Sequence, residues 1–279
     1  TRAAATCGDP DAARRLGGGT FHAVAHRMVA AHAAVLGLPA GLSVLDAGDA
    51  ADLMDLLRVE HGLAGTDVRL PRPHTLVDVY SRAVNTHCPL RDVLAEQFPW
   101  CEPHTEAIAG VLRDYVARKR TAGLLDFDDL LLAWRTLLAD AAIGASLRDR
   151  FDHVLVDEYQ DVNQVQVDIV RALRPDGRGL PVVGDDAQAI YRFRGADAAH
   201  LHALTGQLPG VTVVRLERNF RSRQPLLDLA NAVRPTESGP ALQLRADRGG
   251  GHRPRLVRCH DAPGEARAIA DDVLAAAQD

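Results

Sequence analysis

The sequence almost lacks lysine: of its 32 lysines and arginines, Lys119 alone is a lysine. That absence excludes a phosphate cradle of the form G-x-x-x-x-G-K-[ST] within these residues. Lys119 follows YVAR with no glycine loop before it, and Gly17-Gly18-Gly19-Thr20 has no lysine. Aromatic residues make up only 4% of the chain, so any close aromatic pair calls for a reason. No apolar run approaches the roughly 20 residues that cross a bilayer. The opening TRAAATCGDPDAARR has no apolar stretch of the kind a secretory leader needs, so the expected address is cytoplasmic, with no membrane partner. The four cysteines, Cys7, Cys88, Cys101 and Cys259, form no C-x-x-C pair, which argues against a disulfide framework or a zinc ribbon. His87, Cys88, Cys101 and His104 have the inventory of a zinc site. Their spacing fits no standard finger and Pro89, Pro99 and Pro103 interrupt it, so they read as surface histidines and ordinary thiols. A net charge of −5 does not advertise a nucleic-acid partner, although a local groove matters more than the sum.

What is present has a clear order. Residues 20–36 read as a helix with Val24, Met28 and Val35 on one side and Gly37 as its stop. Residues 37–104 are broken by proline and glycine, in GLPAGLS, HGLAGTD, RLPRPH and FPWCEP, with short helical pieces between them, and read as an inserted subdomain of low regularity. From Thr105 an amphipathic helix carries Ile108, Val111, Leu112, Tyr115 and Val116 on one stripe and stops at Gly123. Asp126 then caps a second helix, with Asp128 and Asp129 in the first turn, where the helix dipole favours acids. Three short β-rich runs follow, HVLVDE (153–158), LPVVGD (180–185) and VTVVRL (211–216), each ahead of a helix-like segment. A fourth, PRLVRCH (254–260), precedes a last helix. This is the rhythm of an α/β protein with a parallel sheet.

In open α/β sheets, ligands bind at the carboxyl ends of the strands. The first run ends in Asp157, Glu158, Tyr159, Gln160 and Asp161, and the second in Gly184, Asp185, Asp186, Ala187 and Gln188. Just past the third come Asn219, Phe220, Arg221 and Ser222. Acids, a glutamine and an arginine are thus expected to face one crevice. A carboxylate directly after an apolar strand is fixed in place and suits Mg²⁺, which takes few protein ligands. The acid beside it can orient or deprotonate a water. A plainer alternative makes Asp161 the N-cap of the helix that follows.

VLVDEYQD (154–161), VVGDDAQAIYRFRGAD (182–197) and LERNFRS (216–222) resemble consecutive motor motifs of the UvrD/Rep/PcrA-like superfamily 1 DNA helicases. GTFH (19–22) and LLDFDDLL (124–131) resemble two further family segments, in the same order. The resemblance covers most of the chain apart from residues 37–104. It implies a RecA-like parallel-sheet motor domain from residues 1–34 and 121–212, a mainly helical insertion at 35–120, and the start of a second RecA-like domain at 213–279.

The same resemblance implies roles. Asp157 would serve Mg²⁺, Glu158 would activate the hydrolytic water and Gln188 would sense the γ-phosphate of ATP. Arg221 would act as an arginine finger, which suits a planar guanidinium, and Phe220 would stack on the adenine. Tyr191, Phe193 and Arg194 would lie on the path of single-stranded DNA, where stacking tolerates any base, and Thr20 and His22 would touch the DNA backbone. Asp126 and Phe127 have a sufficient reading as cap and staple. The implied activity is ATP-driven translocation on single-stranded DNA and unwinding of duplex DNA, with three-prime to five-prime polarity. Relative to the family, the phosphate cradle, the adenine-reading segment and the last two motifs are expected to lie outside this chain. Two other readings stay open. One is a non-hydrolysing single-stranded DNA-binding or scaffold protein that retains the motor fold, which the missing cradle favours. The other is a carboxylate metallonuclease built on Asp157, Asp185 and Asp186, which leaves Gln188 and Arg221 without a task.

Overall fold

A computed structural model describes residues 6, 11–39, 41–64, 70–208, 210–234 and 242–277. Cys7 lies outside them. The chain divides into two units, Thr1–Val211 and Thr212–Asp279, which are described separately.

In the first unit, Thr20 caps helix α1 (Phe21–Ala31) by accepting from the Ala23 N–H, and turns then lead to Gly37, whose φ of 66° ends the segment. A short strand, β1 (Ser43–Val44), precedes four helices: α2 (Ala47–Glu60), α3 (Pro73–Thr86), α4 (Leu90–Gln97) and α5 (Thr105–Ala122). The expectation of low regularity here is wrong. Gly62 follows α2, Pro73 opens α3 and Pro89 precedes α4. α2 has a full capping box between Asp46 and Asp49, and α3 starts on Pro73, which suits a first helical turn. These helices own a core, with Leu57, Leu76, Leu94, Ile108 and Val111 fully buried. Each such side chain contributes roughly 1.5–3 kcal/mol. Cys101 is sealed in that core while Cys88 is exposed, so the thiols do not converge on a metal.

Gly123, with φ 67°, ends α5 and leads into β2 (Leu124–Leu125), which pairs in parallel with β1. Asp126 and Asp129 form the capping box of α6 (Phe127–Ala139), and Asp140 caps α7 (Ala141–Asp149). α6 and α7 are apolar but meet at a 99° bend, and Leu131, Trp134, Leu137 and Leu147 bury against α1 and α8 (Gln164–Leu173). Among the described residues no single helix is long and apolar enough to cross a membrane.

The first β-rich run, between α7 and α8, and the second, after α8, lie side by side in parallel. Val156 bridges Val182, and the ladder runs from Val154 N–H to Gly179 C=O, Val156 N–H to Pro181 C=O, Val183 N–H to Val156 C=O and Tyr159 N–H to Val183 C=O. Val156, Tyr159, Val162, Val167, Val170 and Leu204 of α9 (Ala199–Gln207) form the core beneath them.

In the second unit, β3 (Arg218–Arg223) pairs in parallel with β4 (Arg245–Arg248), and α10 (Gln224–Val233) and α11 (Ala262–Ala276) complete it. The expected strands at 211–216 and 254–260 do not form. Val214 and Leu216 are about 70% exposed and Leu256 is 98% exposed. An apolar β-rich run becomes a strand only when another strand completes its hydrogen bonds, and among the described residues none does so here. The fold is nonetheless α/β with parallel strand pairing throughout.

Candidate functional site

The site is assembled where the parallel pair 154–156 and 182–183 ends. Asp157 and Glu158 leave the first strand and both are exposed. Asp157 Oδ1 accepts from the Glu158 N–H at 3.0 Å, and the carboxylate makes no ion pair among the described residues. An exposed, uncompensated carboxylate at a strand end fits a hard divalent cation that keeps most of its water. Glu158 sits in the left-handed region at φ 51°, ψ 46°, a conformation that costs a non-glycine residue roughly 1–2 kcal/mol. The chain then turns through Tyr159–Asp161. Asp161 is not the cap of the next helix. Asn163 caps α8, in a reciprocal box with Gln166. Asp161 Oδ1 is enclosed without a hydrogen-bond partner among the described residues, and desolvation, then the Glu158 charge, push its carboxyl above the usual range.

The second strand end is tied to the first by a side chain that the sequence did not single out. Gln160 is 1% exposed; its Nε2 donates to Glu158 Oε2 at 2.7 Å, and its Oε1 accepts from the Asp185 N–H at 3.0 Å. Asp185 Oδ1 accepts from the Ala187 N–H, and its Oδ2 accepts from Gln188 Nε2 at 2.9 Å. Asp186 meets His202 at 3.3 Å. Thus Asp157, Glu158 and Gln188 are brought to one place, whereas Asp185 and Asp186 are engaged in holding the turn. Among the described residues no group of three or more His, Cys, Asp or Glu side chains is arranged to hold a metal.

The aromatic pair follows directly. Tyr191 precedes the short helical turn Arg192–Arg194 and Phe193 lies within it, with ring centroids 6.1 Å apart. Phe193 is 70% exposed, so it is not packed between sheet and helix. The segment is supported from α3: Arg82 donates to the Arg192 carbonyl, and Gly195 lies against Asn85 and Thr86. Arg194 belongs to the same turn, but its side chain lies outside what the structure describes.

Thr20 is exposed and already serves as the α1 cap. His22 is half-buried against Phe127, edge to face at 5.7 Å, and desolvation lowers its pKa.

Lys119 is nowhere near a phosphate role. It is 1% exposed and pairs with Asp126 and with Asp129 at 2.6 Å, with the Tyr115 ring 4.2 Å and the Tyr80 ring 4.9 Å away. Tyr115 Oη donates to Asp126 Oδ2 at 2.9 Å. The described residues of this unit therefore supply acceptors and the amides of Gln160 and Gln188 around the strand ends, and no lysine for a phosphate cradle.

In the second unit Asn219, Phe220, Arg221 and Ser222 lie within β3. Asn219 Oδ1 accepts from the Arg221 and Ser222 N–H groups at 3.0 and 2.7 Å, which sets the local turn of the strand. Phe220 is 60% exposed and carries the Arg218 guanidinium 5.0 Å from its ring centre, while Arg218 pairs with Asp247. Arg221 is exposed and its guanidinium has no partner among the described residues.

Comparison with known proteins agrees with this layout. The family model described as the UvrD/REP helicase N-terminal domain matches residues 1–209. The "ATP-dependent DNA helicase UvrD1" of Mycobacterium tuberculosis is 34% identical over 269 residues, covering 93% of this chain and 34% of the relative. The "ATP-dependent DNA helicase PcrA" of Leuconostoc citreum is 34% identical over 224 residues, covering 80% of this chain and 29% of the relative. "DNA helicase II" of Escherichia coli is 32% identical over 222 residues, covering 79% and 30%. The chain thus spans about a third of the length of these relatives. With a family model over most of its length and the motif residues standing at the ends of a parallel strand pair, the chain belongs to the UvrD/Rep helicase family.

Proposed function

We propose that this chain contributes the hydrolytic and DNA-tracking parts of a RecA-like motor that couples ATP hydrolysis to three-prime to five-prime translocation on single-stranded DNA and to duplex unwinding. The observation that carries the reading is the meeting of Asp157, Glu158 and Gln188 at two adjacent parallel strand ends, with an exposed aromatic pair directly downstream. Asp157 would hold Mg²⁺ through one carboxylate oxygen, and Glu158 would orient the attacking water and take its proton. When bound, Mg²⁺ neutralises charge on the β- and γ-phosphates. Gln188 would report the γ-phosphate, Arg221 would stabilise the charge of the transferred phosphoryl group, and Phe220 would stack on the adenine. Phe193 and Tyr191 would stack on successive bases without reading them, which suits a motor indifferent to sequence. Thr20, His22 and Arg194 would add backbone contacts.

The sealed Lys119 favours a second reading, a DNA-binding protein that does not hydrolyse ATP. One experiment separates the two. In the full-length protein, DNA-stimulated ATP hydrolysis should fall about 10²–10⁴-fold in Glu158→Gln, with DNA affinity retained. DNA binding with no ATP turnover in the unmodified full-length protein would leave the binding-protein reading standing. The 279 residues by themselves should turn over ATP poorly, because the only lysine is locked into a core and positioning of the phosphates is most of the catalysis.

A further inference from the structure

We propose that Gln160 is a positioning residue of the hydrolytic site, whose buried amide sets the direction of the Glu158 carboxylate and locks it to the strand end that bears Gln188. The proposal rests on the hydrolytic reading above. Its geometric basis is a chain of four groups from two strand ends: Glu158 Oε2, the Gln160 amide, the Asp185 backbone and side chain, and Gln188 Nε2. The partners decide which way the Gln160 amide faces, since its oxygen meets an N–H and its nitrogen meets a carboxylate. The structure keeps space for this contact. A Cβ on Gly184 would stand 2.9 Å from Gln160 Oε1 and 3.2 Å from Leu201 Cδ2.

The consequence for Glu158 is specific. An exposed glutamate alone samples several rotamers, and a water held by such a group is poorly aimed. With Oε2 held by Gln160, the side chain is confined and Oε1 remains for a water. Glu158 also occupies a left-handed backbone conformation, φ 51° and ψ 46°. The same amide fixes the Asp185 N–H, and Asp185 fixes Gln188. A displacement of Gln188 is therefore transmitted to Glu158 through two hydrogen-bonded groups. Gln160 touches no reacting atom in this scheme; it acts through Glu158 and Asp185.

Gln160→Glu preserves size and the acceptor for Asp185 but turns an oxygen toward Glu158, and Gln160→Met removes both hydrogen bonds. Gly184→Ala removes no polar group but crowds Gln160 Oε1 and so displaces the amide. In the full-length protein, Gln160→Glu and Gly184→Ala should each lower kcat of DNA-stimulated ATP hydrolysis about 10–100-fold, with KM for ATP within about twofold. A readout independent of nucleotide is hydrogen exchange at the Asp185 amide in this chain. Exchange should be slow in the unmodified chain and in Gln160→Glu, and at least about tenfold faster in Gln160→Met. A folded Gln160→Glu with unchanged kcat overturns the proposal, as does a fall in thermal stability with kcat and KM moving together, because that is the signature of a merely structural amide. If Gln160→Glu does not fold, Gly184→Ala decides in the same way. Glu158→Gln is the control: loss of turnover there beside an unaffected Gln160→Glu removes only the Gln160 role, whereas retained turnover in Glu158→Gln removes the hydrolytic reading itself.

Discussion

Two clusters of acids, about thirty residues apart in sequence, meet opposite fates. Asp126, Asp128 and Asp129 begin α6 and lie in the interior; Asp157 and Glu158 end a strand and face solvent. The buried cluster brings its own partners. Lys119 pairs with Asp126 and Asp129, Tyr115 donates to Asp126, and Asn85 donates to Asp128 at 2.7 Å while accepting from Asn163 at 2.8 Å. Even so, desolvation, then the Asp126 charge, raise the carboxyls of Asp128 and Asp129. The strand-end cluster has no cation beside it among the described residues, only the Gln160 amide and its own backbone. Burial demands compensation within the fold, whereas solvent permits a site to stay negative until a cation arrives. The comparison separates acids partnered within the fold from acids left open to solvent, although both groups follow an apolar segment.

The comparison breaks most severely at Lys119. Lys119→Met leaves two buried carboxylates without their countercharge and should destabilise the first unit by about 3–5 kcal/mol in a denaturant titration. A loss below about 1 kcal/mol would mean that the tyrosine and asparagine hydrogen bonds suffice. Next in size is Phe193→Ala, expected to weaken single-stranded DNA binding by about 1–3 kcal/mol per stacked base with the melting temperature unchanged. Unaltered affinity would return Phe193 to the ordinary surface. Asp157→Asn should change the stability of the chain by less than about 0.5 kcal/mol, since no partner is lost. Mg²⁺ at about ten times its Kd should stabilise the unmodified chain by about 1.4 kcal/mol, and Asp157→Asn should not respond. An identical Mg²⁺ response in both would move the cation elsewhere.

The smallest effect concerns a base beside the buried cluster. Burial lowers the His22 pKa, so below about pH 6.5 the unfolded chain binds a proton that the folded chain resists, and stability falls as pH falls. His22→Gln cannot titrate. The stability lost between pH 7.5 and pH 5.5 should therefore be smaller in the variant by up to about 1 kcal/mol, measured by urea unfolding. Equal losses would show that His22 takes up its proton in the folded chain as readily as in the unfolded one.

Much was legible before any coordinates. The stripe of Ile108, Val111 and Tyr115 specified α5, Gly123 its end and Asp126 the start of α6, because spacing and capping are local properties of the chain. The runs ending at Asp157 and Asp185 could be placed as neighbouring parallel strands because apolar β-rich segments alternating with helices have few other arrangements. That residues 35–120 are mainly helical was expected, but the length and regularity of the helices of residues 47–97 were hidden by prolines and glycines, whose number is visible in sequence and whose place relative to each helix is settled by packing. The strands at 211–216 and 254–260 were misread for the converse reason, as pairing is never a property of one segment.

Residue types and their order determined which groups stand at the ends of the first two β-rich runs and where α5 stops and α6 starts. Only the tertiary structure decided that Lys119 is spent in the interior, that Asn163 and not Asp161 caps α8, and that Gln160 joins Glu158 to Asp185. The physical reason is the same in each case. A polar side chain's task is set by whether water can reach it and by which partner stands within hydrogen-bond distance, and both depend on residues far away along the chain.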